Sequence, residues 1–261
     1  MDTSEFTSKS TNKYIDKASF TWQTPSNIAL VKYWGKSNPQ IPKNASISFT
    51  LNNCHTITTI DFEKKEKSTV VDFDLFFEGK KKDEFKPKIA EFFTRIKEYC
   101  PFIFEYKMTI HSENSFPHSS GIASSASGLS AIARCLMSLE SEINSSLSEE
   151  YINKKTSFLA RLGSGSASRS IEGPLVVWGN HPDIEGSSDL YGVKFPYDVH
   201  PIFNNYQDTI LLVDKGVDWC DPWVVFCVVS HRRVPHIHVY NLQFSCMCRI
   251  QILGMRIQIL A

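Results

Sequence analysis

The residues best suited to chemistry form a Gly/Ser-rich stretch, PHSSGIASSASG, at residues 117–128. Small side chains allow backbone N–H groups to approach a ligand closely. The helical pattern that starts near Leu129 would place unpaired N–H donors and the positive end of a helix dipole beside them. The stretch therefore predicts an anion-binding loop for a di- or triphosphate. Ser124 and Ser125 would offer hydroxyls to the phosphates or to a Mg²⁺ ion.

Two familiar alternatives do not fit this stretch. No Gly-Lys-Ser/Thr follows, as a Walker A loop requires, and the Gly-x-Ser-x-Gly of a nucleophile elbow is missing. A flexible Ser-rich linker remains the competing interpretation. The amphipathic helix predicted directly after the stretch favours a binding loop over a linker.

A second Gly/Ser stretch, GSGSASRS at residues 163–170, contains an arginine. The planar guanidinium of Arg169 suits bidentate binding of a carboxylate or a phosphate. A helix end followed by a surface arginine is the alternative, and composition alone favours it. Two such loops in one chain make phosphate chemistry more plausible than either does by itself.

A third segment, PSNIALVKYWGK at residues 25–36, predicts an apolar strand with a cationic and aromatic end. Lys32 and Lys36 could neutralise a diphosphate, and Tyr33 and Trp34 could wall a pocket. The alternative is an ordinary strand with an amphipathic end.

The elements that must position these segments are strands followed by helices. Period-two alternation predicts strands at residues 46–51, 71–77, 106–110, 174–178 and 209–213, with Ile47, Phe49 and Leu51 on the buried face and Ser46, Ser48 and Thr50 on the polar face. Apolar residues at helical spacing predict helices around residues 89–96, 129–136 and 151–162. For the third helix we expect a capping box of Ser146 with Glu149, and Gly163 just past the end. This mixed order predicts an α+β fold.

Composition bounds the partners of the chain. The 261 residues carry 28 basic and 28 acidic side chains, so no global charge favours nucleic acid or an anionic membrane surface. No run of eighteen apolar residues occurs, and residues 1–18 form a polar segment without the apolar core of a signal peptide, which we expect to be mobile. The seven cysteines have no disulfide framework. We therefore expect a cytoplasmic protein with a small-molecule ligand.

The composition changes near residue 216. Residues 222–261 contain no Asp, Glu or Lys, and the sequence Arg-Ile-Gln-Ile-Leu occurs at 249–253 and again at 256–260. We expect a domain at residues 19–215 and an aberrant tail at 216–261, arising from a shifted frame, a retained segment or an assembly error. A zinc site of Cys246 and Cys248 with the histidines at 231, 236 and 238 is a weak alternative, because the spacing is Cys-x-Cys.

Four motifs in order resemble diphosphomevalonate decarboxylases of the GHMP kinase superfamily. They are PSNIALVKYWGK (25–36), NASISFTLN (44–52), ENSFPHSSGIASSASG (113–128) and GSGSASRSIEG (163–173), which lie within a resemblance over roughly residues 20–215. The resemblance implies a GHMP-kinase-type N-terminal domain (ribosomal protein S5 domain 2-like), with the second α/β domain lost. It also implies mevalonate 5-diphosphate as substrate, ATP as co-substrate, Mg²⁺ and a possible homodimer.

The reaction implied by the resemblance is phosphorylation of the tertiary 3-hydroxyl, followed by loss of phosphate and CO₂ to give isopentenyl diphosphate. By motif, Arg169, Asn27 and Lys32 would serve catalysis, with Arg169 on the substrate carboxylate and Asn27 holding both in place. The other substrate-binding residues would be Tyr33, Lys36, Ser164 and Ser166. The residues at ATP would be Pro117, Ser120, Gly121, Ile122, Ala123, Ser124 and Ser125, with Mg²⁺ at Ser125.

The chain departs from the family at several points. Ser168 stands where members usually carry cysteine, and His118-Ser119 replaces the more usual Thr-Ala. The Asp-Ala-Gly motif that carries the catalytic aspartate is absent, so no residue here can be assigned its role. We therefore expect no turnover from this chain. The alternatives are a related mevalonate-phosphate decarboxylase or 3-kinase, and a non-catalytic nucleotide-binding remnant.

Overall fold

The computed structural model describes residues 2–9, 13–118, 122–201 and 203, and the backbone of strands at 207–211, 226–230 and 238–239. The chain divides into two compact units, Met1–Asp198 and Val199–Ala261. The predicted boundary at residue 216 and the predicted tail lie mostly outside the described residues. In the described part of the chain, no helix is long and apolar enough to cross a membrane.

Unit one contains nine strands, three α-helices and several 3₁₀ turns. The strands are β1 (Lys17–Val31), β2 (Lys36–Ser37), β3 (Ile41–Pro42), β4 (Ser46–Lys64), β5 (Asp72–Phe77), β6 (Lys80–Lys81), β7 (Tyr106–Asn114), β8 (Leu175–Trp178) and β9 (Gly192–Lys194). The helices are α1 (Lys86–Ile96), α2 (Ser124–Ile143) and α3 (Glu149–Gly163), and the 3₁₀ turns are Ser4–Phe6, Asp83–Phe85, Pro101–Glu105 and Gly165–Ser170. The described strands of unit two are β10 (Gln207–Leu211), β11 (Phe226–Ser230) and β12 (His238–Val239), which pair antiparallel.

The main sheet has the order β6-β5-β7-β4-β8-β9, and β1 pairs with the other edge of β4. All pairs are antiparallel except β5 with β7. The long strand β4 is the centre, because its second half pairs with β7 and its first half with β8. β2 and β3 form a separate hairpin, here called the lysine hairpin.

The helices pack against the sheet and against each other through the apolar stripes that the sequence predicted. All of Ile89, Phe92, Phe93 and Ile96 on α1, and Leu129, Ile132, Ala133 and Leu136 on α2, are buried in one core cluster. α2 packs on β1 and β4, and α3 packs on both α1 and α2. The α+β prediction is confirmed.

Two helix starts differ from the prediction. α2 begins at Ser124, five residues before Leu129, so Ser124 and Ser125 lie in its first turn. Small side chains had no apolar pattern that could reveal this turn. α3 is capped by Ser148, whose Oγ accepts from Tyr151 N at 3.2 Å, so the expected cap at Ser146 is wrong. Gly163 is the last residue of α3 rather than the residue after it.

The N-terminal segment is packed on the domain where the structure describes it. Phe6 is fully buried and its ring stacks on Phe158 with centroids 4.1 Å apart. Ser8 Oγ donates to Glu140, which also pairs with Lys155 at 2.7 Å in the interior. This corrects the expectation of a mobile tail for residues 2–9, because one aromatic residue supplies enough apolar area to dock a polar segment.

Candidate functional site

The 3₁₀ turn Gly165–Ser170, here called the arginine turn, buries a guanidinium beside the centre of the sheet. It follows α3 directly, and a Cβ on Gly165 would lie 2.4 Å from Trp178 Cη2, so only glycine permits this approach. Arg169 is 2% exposed. Its Nη1 donates to Ser46 Oγ at 2.8 Å, and its Nε donates to Asn27 Oδ1 at 3.3 Å.

The amide of Asn27 is oriented by its other contacts. Its Nδ2 donates to Ser166 O at 3.0 Å and to Ser170 Oγ at 2.7 Å. Because both donors are used on the arginine turn, the Asn27 carbonyl oxygen faces Arg169. Ser46 Oγ in turn donates to Val31 O at 2.5 Å, which leaves its lone pairs for Arg169. The guanidinium is thus held by neutral groups on β1 and β4.

Two aromatic rings complete the walls around the guanidinium. The centroids of Tyr33 and Trp178 each lie 5.6 Å from Arg169 Cζ, and the two rings meet edge-to-face at 5.0 Å. Among the residues that the structure describes, no carboxylate forms an ion pair with Arg169. Burial lowers the pKa of Arg169 to about 10, so the group stays charged at neutral pH. The buried charge of Arg169 is therefore not compensated by a described carboxylate, and an anionic ligand would pair with it.

Ser164, just before the arginine turn, and Ser166, on it, are half-buried, with their hydroxyl oxygens 3.3 Å apart. The turn is also joined to the start of α2, because Ser130 Oγ lies 2.6 Å from Ala126 O and 2.8 Å from Ala167 O. The structure therefore brings the second and first Gly/Ser stretches into contact through α2.

A group of cations lies beside the start of α2. Lys88 on α1 donates from Nζ to Ser125 Oγ at 2.7 Å. Desolvation of the ammonium lowers the pKa of Lys88, and the nearby charge of Glu91 partly offsets this. The pKa of Lys36 is also lowered, by desolvation and then by repulsion from Arg95 and Lys88, although much of its side chain is exposed. The lysine hairpin, through Lys36, and α1, through Lys88 and Arg95, therefore contribute to one positively charged region.

His118, within the predicted phosphate loop, is also affected by the nearby lysine charges. Desolvation lowers its pKa first, repulsion from Lys88 and Lys82 lowers it further, and Glu78 acts in the opposite direction. The pKa values of His118, Lys36 and Lys88 are all lowered, in part by positive neighbours for His118 and Lys36. This indicates an excess of positive charge, which an anionic ligand would neutralise.

Of the predicted phosphate loop at 117–128, the structure describes residues 117–118 and 122–128. Ile122 is buried, while Ala123, Ser124 and Ser125 are half-buried, and Ala123 has a left-handed backbone at φ 55°. The amides of Ser124 and Ser125 donate to no other described residue, as helix geometry requires of a first turn. Pro117 is exposed. The predicted ATP residues Ser120 and Gly121 lie outside the described residues.

The segment between β1 and the lysine hairpin is held by one amide. Asn44 Nδ2 donates to Lys32 O at 2.9 Å, and Asn44 Oδ1 accepts from Trp34 N at 2.7 Å. Lys32 and Tyr33 are half-buried, whereas Trp34 is 83% exposed. Tyr33 therefore lines the arginine site as predicted of a pocket wall, but Trp34 does not face the interior.

Several residues of the site were missed in the sequence. Ser46 and Ser48 were assigned to a solvated polar face, yet they are 1% and 0% exposed, because that face of β4 meets the arginine turn. Lys88 was not predicted, because the sequence pattern of α1 indicated only its apolar stripe. No residue spacing could have shown these contacts, since each joins segments distant in sequence. The predicted cysteine–histidine zinc site lies outside the described side chains, and within them no group of His, Cys, Asp or Glu could hold a metal.

Comparisons with known proteins identify the family of the chain. The family model described as the diphosphomevalonate decarboxylase-like N-terminal domain matches residues 24–189. The mevalonate diphosphate decarboxylase from Enterococcus faecalis is 32% identical with a TM-score of 0.55, over 69% of this chain and 52% of that chain. The enzyme from Staphylococcus aureus is 33% identical with a TM-score of 0.54, over 68% and 50%. The enzyme from Trypanosoma brucei is 34% identical with a TM-score of 0.50, over 68% and 45%.

No curated protein sequence matches the chain. The chain spans about half the length of the solved relatives that it matches. The family match begins within β1 and ends before β9, so it contains both the arginine turn and the start of α2. The resemblance that the four motifs predicted is confirmed, and the chain belongs to the diphosphomevalonate decarboxylase-like family, through its N-terminal domain.

Proposed function

We propose that this domain binds mevalonate 5-diphosphate and ATP, as the binding part of an ATP-dependent decarboxylase that makes isopentenyl diphosphate. The observation that carries the proposal is Arg169, a buried guanidinium held by Asn27 and Ser46 that has no carboxylate partner among the described residues. A related solved structure is of a complex with MVAPP, AMPPCP and magnesium. The Enterococcus faecalis structure concerns ATP binding mediated by mevalonate diphosphate.

The substrate carboxylate would pair with Arg169. Two of the guanidinium nitrogens are already directed by Ser46 and Asn27, so the group needs little reorganisation when the anion arrives. The faces of Tyr33 and Trp178 exclude water from one side of the pair, which strengthens it. Ser164 and Ser166, half-buried at the same turn, would donate to the substrate oxygens.

The phosphates of both ligands would lie in the positive region. Lys36 and Lys88 repel each other, and a diphosphate or triphosphate between them would replace that repulsion by attraction. The amides of Ser124 and Ser125, which donate to no described residue, would add backbone donors to the nucleotide phosphates. Lys32, at the end of β1, would meet the diphosphate end of the substrate.

Mg²⁺ fits this site only together with a nucleotide. Ser125 would offer its hydroxyl oxygen, but that oxygen now accepts from the Lys88 ammonium. Among the described residues, no group of three or more His, Cys, Asp or Glu could hold a metal ion. Mg²⁺ is usually held by phosphate oxygens and water with few protein ligands. When bound, it would neutralise charge on the transferred phosphoryl group. Ser125 would exchange its contact with Lys88 for the metal, and Lys88 would turn to a phosphate.

A second candidate function is binding without turnover. The chain contains no Asp-Ala-Gly sequence, so the aspartate that orients or deprotonates the 3-hydroxyl in the family has no counterpart that we can assign. Nothing in the described residues places another carboxylate beside Arg169. Binding and catalysis are therefore separate claims for this polypeptide, and we propose the first without the second.

The test is to purify the full chain and measure two properties. Calorimetric titration with mevalonate 5-diphosphate, followed by an ATP analogue with Mg²⁺, should show binding of both. An assay of ATP-dependent CO₂ release should show no turnover above background. Addition of the C-terminal half of a solved relative should restore release if the binding domain is intact. Absence of binding by a folded chain would refute the proposal, and turnover by the chain alone would refute the separation of binding from catalysis.

A further inference from the structure

The pairing of β1 with β4 is irregular near the phosphate loop. The pairing of β1 with β4 passes from Pro25 opposite His55 to Asn27 opposite Thr50, so β4 contains extra residues at this point. Regular alternation would send consecutive side chains to opposite faces. Here Ser26 is 0% exposed and Asn27 is 4% exposed, so both are buried. Such irregularities re-aim side chains near functional sites.

Ser26 and Asn27 reach different halves of the site. Asn27 contacts Arg169 and the arginine turn, as described above. Ser26 Oγ donates to Ile122 O, in the phosphate loop. Two residues earlier on β1, Thr24 Oγ1 donates to Ser127 O at 2.6 Å, and the Ser127 hydroxyl meets Thr56 Oγ1 at 2.6 Å. The hydroxyls of Thr24 and Ser26 therefore hold both ends of residues 122–127 against β1.

Residues 122–127 include a strained one. Ala123 precedes α2 in a left-handed conformation, with φ 55° and ψ 44°. This conformation costs a non-glycine residue about 1–2 kcal/mol, so surrounding contacts must hold it. In a trans peptide the C=O and the next N–H point in opposite directions. A bond from Ser26 to Ile122 O therefore turns the Ala123 N–H away from β1.

We propose that Ser26 is a positioning residue for the nucleotide, with Thr24 as its support. Ser26 fixes the Ile122–Ala123 peptide, and thereby presents the Ala123 amide to the phosphates together with the first turn of α2. The inference rests on the nucleotide site proposed above. It adds that the nucleotide end and the carboxylate end of the site share one short segment of β1, at Ser26 and Asn27.

The experiment uses the full chain with TNP-ATP and Mg²⁺ as the nucleotide probe and mevalonate 5-diphosphate as the second ligand. Ser26→Ala should weaken TNP-ATP binding roughly tenfold, about 1.4 kcal/mol, while the affinity for mevalonate 5-diphosphate stays within twofold. Amide hydrogen exchange at Ala126 and Ser127, whose N–H groups donate to Ala123 O at 2.7 and 3.4 Å, should accelerate. Thr58→Val is the matched control, because it removes a buried hydroxyl paired with Ser112 at 2.9 Å, away from the loop. It should change neither reading.

A rescue separates positioning from general loosening of the fold. Glycine adopts the left-handed conformation without strain, so Ala123→Gly in the Ser26→Ala background should recover at least half of the lost TNP-ATP affinity. Unchanged TNP-ATP affinity in Ser26→Ala, or equal losses for both ligands, would overturn the positioning role. Absence of TNP-ATP binding by the unmodified chain would overturn the nucleotide site itself. If the unmodified chain does not bind TNP-ATP, amide exchange still tests the role of Ser26, and unchanged exchange in Ser26→Ala would overturn it.

Discussion

Two buried arginines on neighbouring elements of this domain have opposite surroundings. Arg161 on α3 is 1% exposed and donates only to backbone carbonyls: from Nε to Leu190 O at 2.7 Å, and from Nη1 to Pro39 O at 2.5 Å and Gln40 O at 3.1 Å. Arg169 is 2% exposed and meets neutral side chains and two ring faces. Burial lowers the pKa of each guanidinium to about 10.

The difference teaches which buried charge is structural and which is available to a ligand. Arg161 ties the loop between β2 and β3, and the segment before β9, to α3, so its donors satisfy carbonyls that the fold would otherwise leave unpaired. Arg169 satisfies almost no structural need, because Ser46 and Asn27 have other partners as well. Equal burial and equal pKa therefore do not identify a functional arginine, whereas the chemistry of its partners does.

The largest expected effect is on stability, and it separates the two arginines. Arg161→Met should lower the free energy of unfolding by about 3–5 kcal/mol, because three backbone carbonyls lose the donors of a buried guanidinium. Arg169→Met, the matched change, should be neutral or slightly stabilising, because it removes a buried charge that lacks an anion. Urea unfolding followed by circular dichroism would measure both. Equal losses from the two variants would remove the distinction.

A smaller effect is expected when an anion is built into the site. Asn27→Asp places a carboxylate beside Arg169 Nε and so supplies the missing partner internally. The affinity for mevalonate 5-diphosphate should fall by about 2 kcal/mol, or roughly thirtyfold, while the unfolding midpoint stays the same or rises. Calorimetric titration and thermal unfolding of the same samples would test this. If Asn27→Asp bound mevalonate 5-diphosphate as tightly as the unmodified chain, the substrate would not use the Arg169 guanidinium.

The smallest effect concerns the nucleotide end. Lys88→Met should weaken TNP-ATP binding about fivefold, near 1 kcal/mol, because one charge-assisted contact to phosphate is lost. Lys17→Met is a suitable control, since Lys17 pairs with Glu63 at 2.8 Å at the start of β1. Fluorescence titration of both variants would compare them. A larger loss in the control would place the nucleotide elsewhere.

The sequence predicted the elements of the domain better than their ends and faces. Apolar side chains at helical spacing identify α1, α2 and α3 because burial of such a stripe drives their packing. The start of α2 was missed because Ser124 to Gly128 have no apolar period. The buried polar face of β4 was missed for a related reason: Ser46 and Ser48 look solvated unless the arginine turn that covers them is known.

The candidate site shows the same limit. Arg169, Asn27 and Tyr33 were predicted and lie together, with Lys36 in the adjacent positive region, but the prediction came from motifs that resemble a family rather than from spacing. Arg161, Lys88 and Ser26 act through contacts with residues more than thirty positions away. Long-range partners of this kind are set by the tertiary fold, which local patterns in a single sequence do not encode.

The most direct test of the central claim is the affinity of the full chain for mevalonate 5-diphosphate, with and without the Arg169 guanidinium. Calorimetric titration should show binding by the unmodified chain and a loss of about 3 kcal/mol, or roughly a hundredfold, in Arg169→Met. The unfolding curves of the two proteins should overlap or favour the variant. Unchanged affinity in a folded Arg169→Met protein would contradict the account, because the buried guanidinium would then not be the site of the substrate carboxylate.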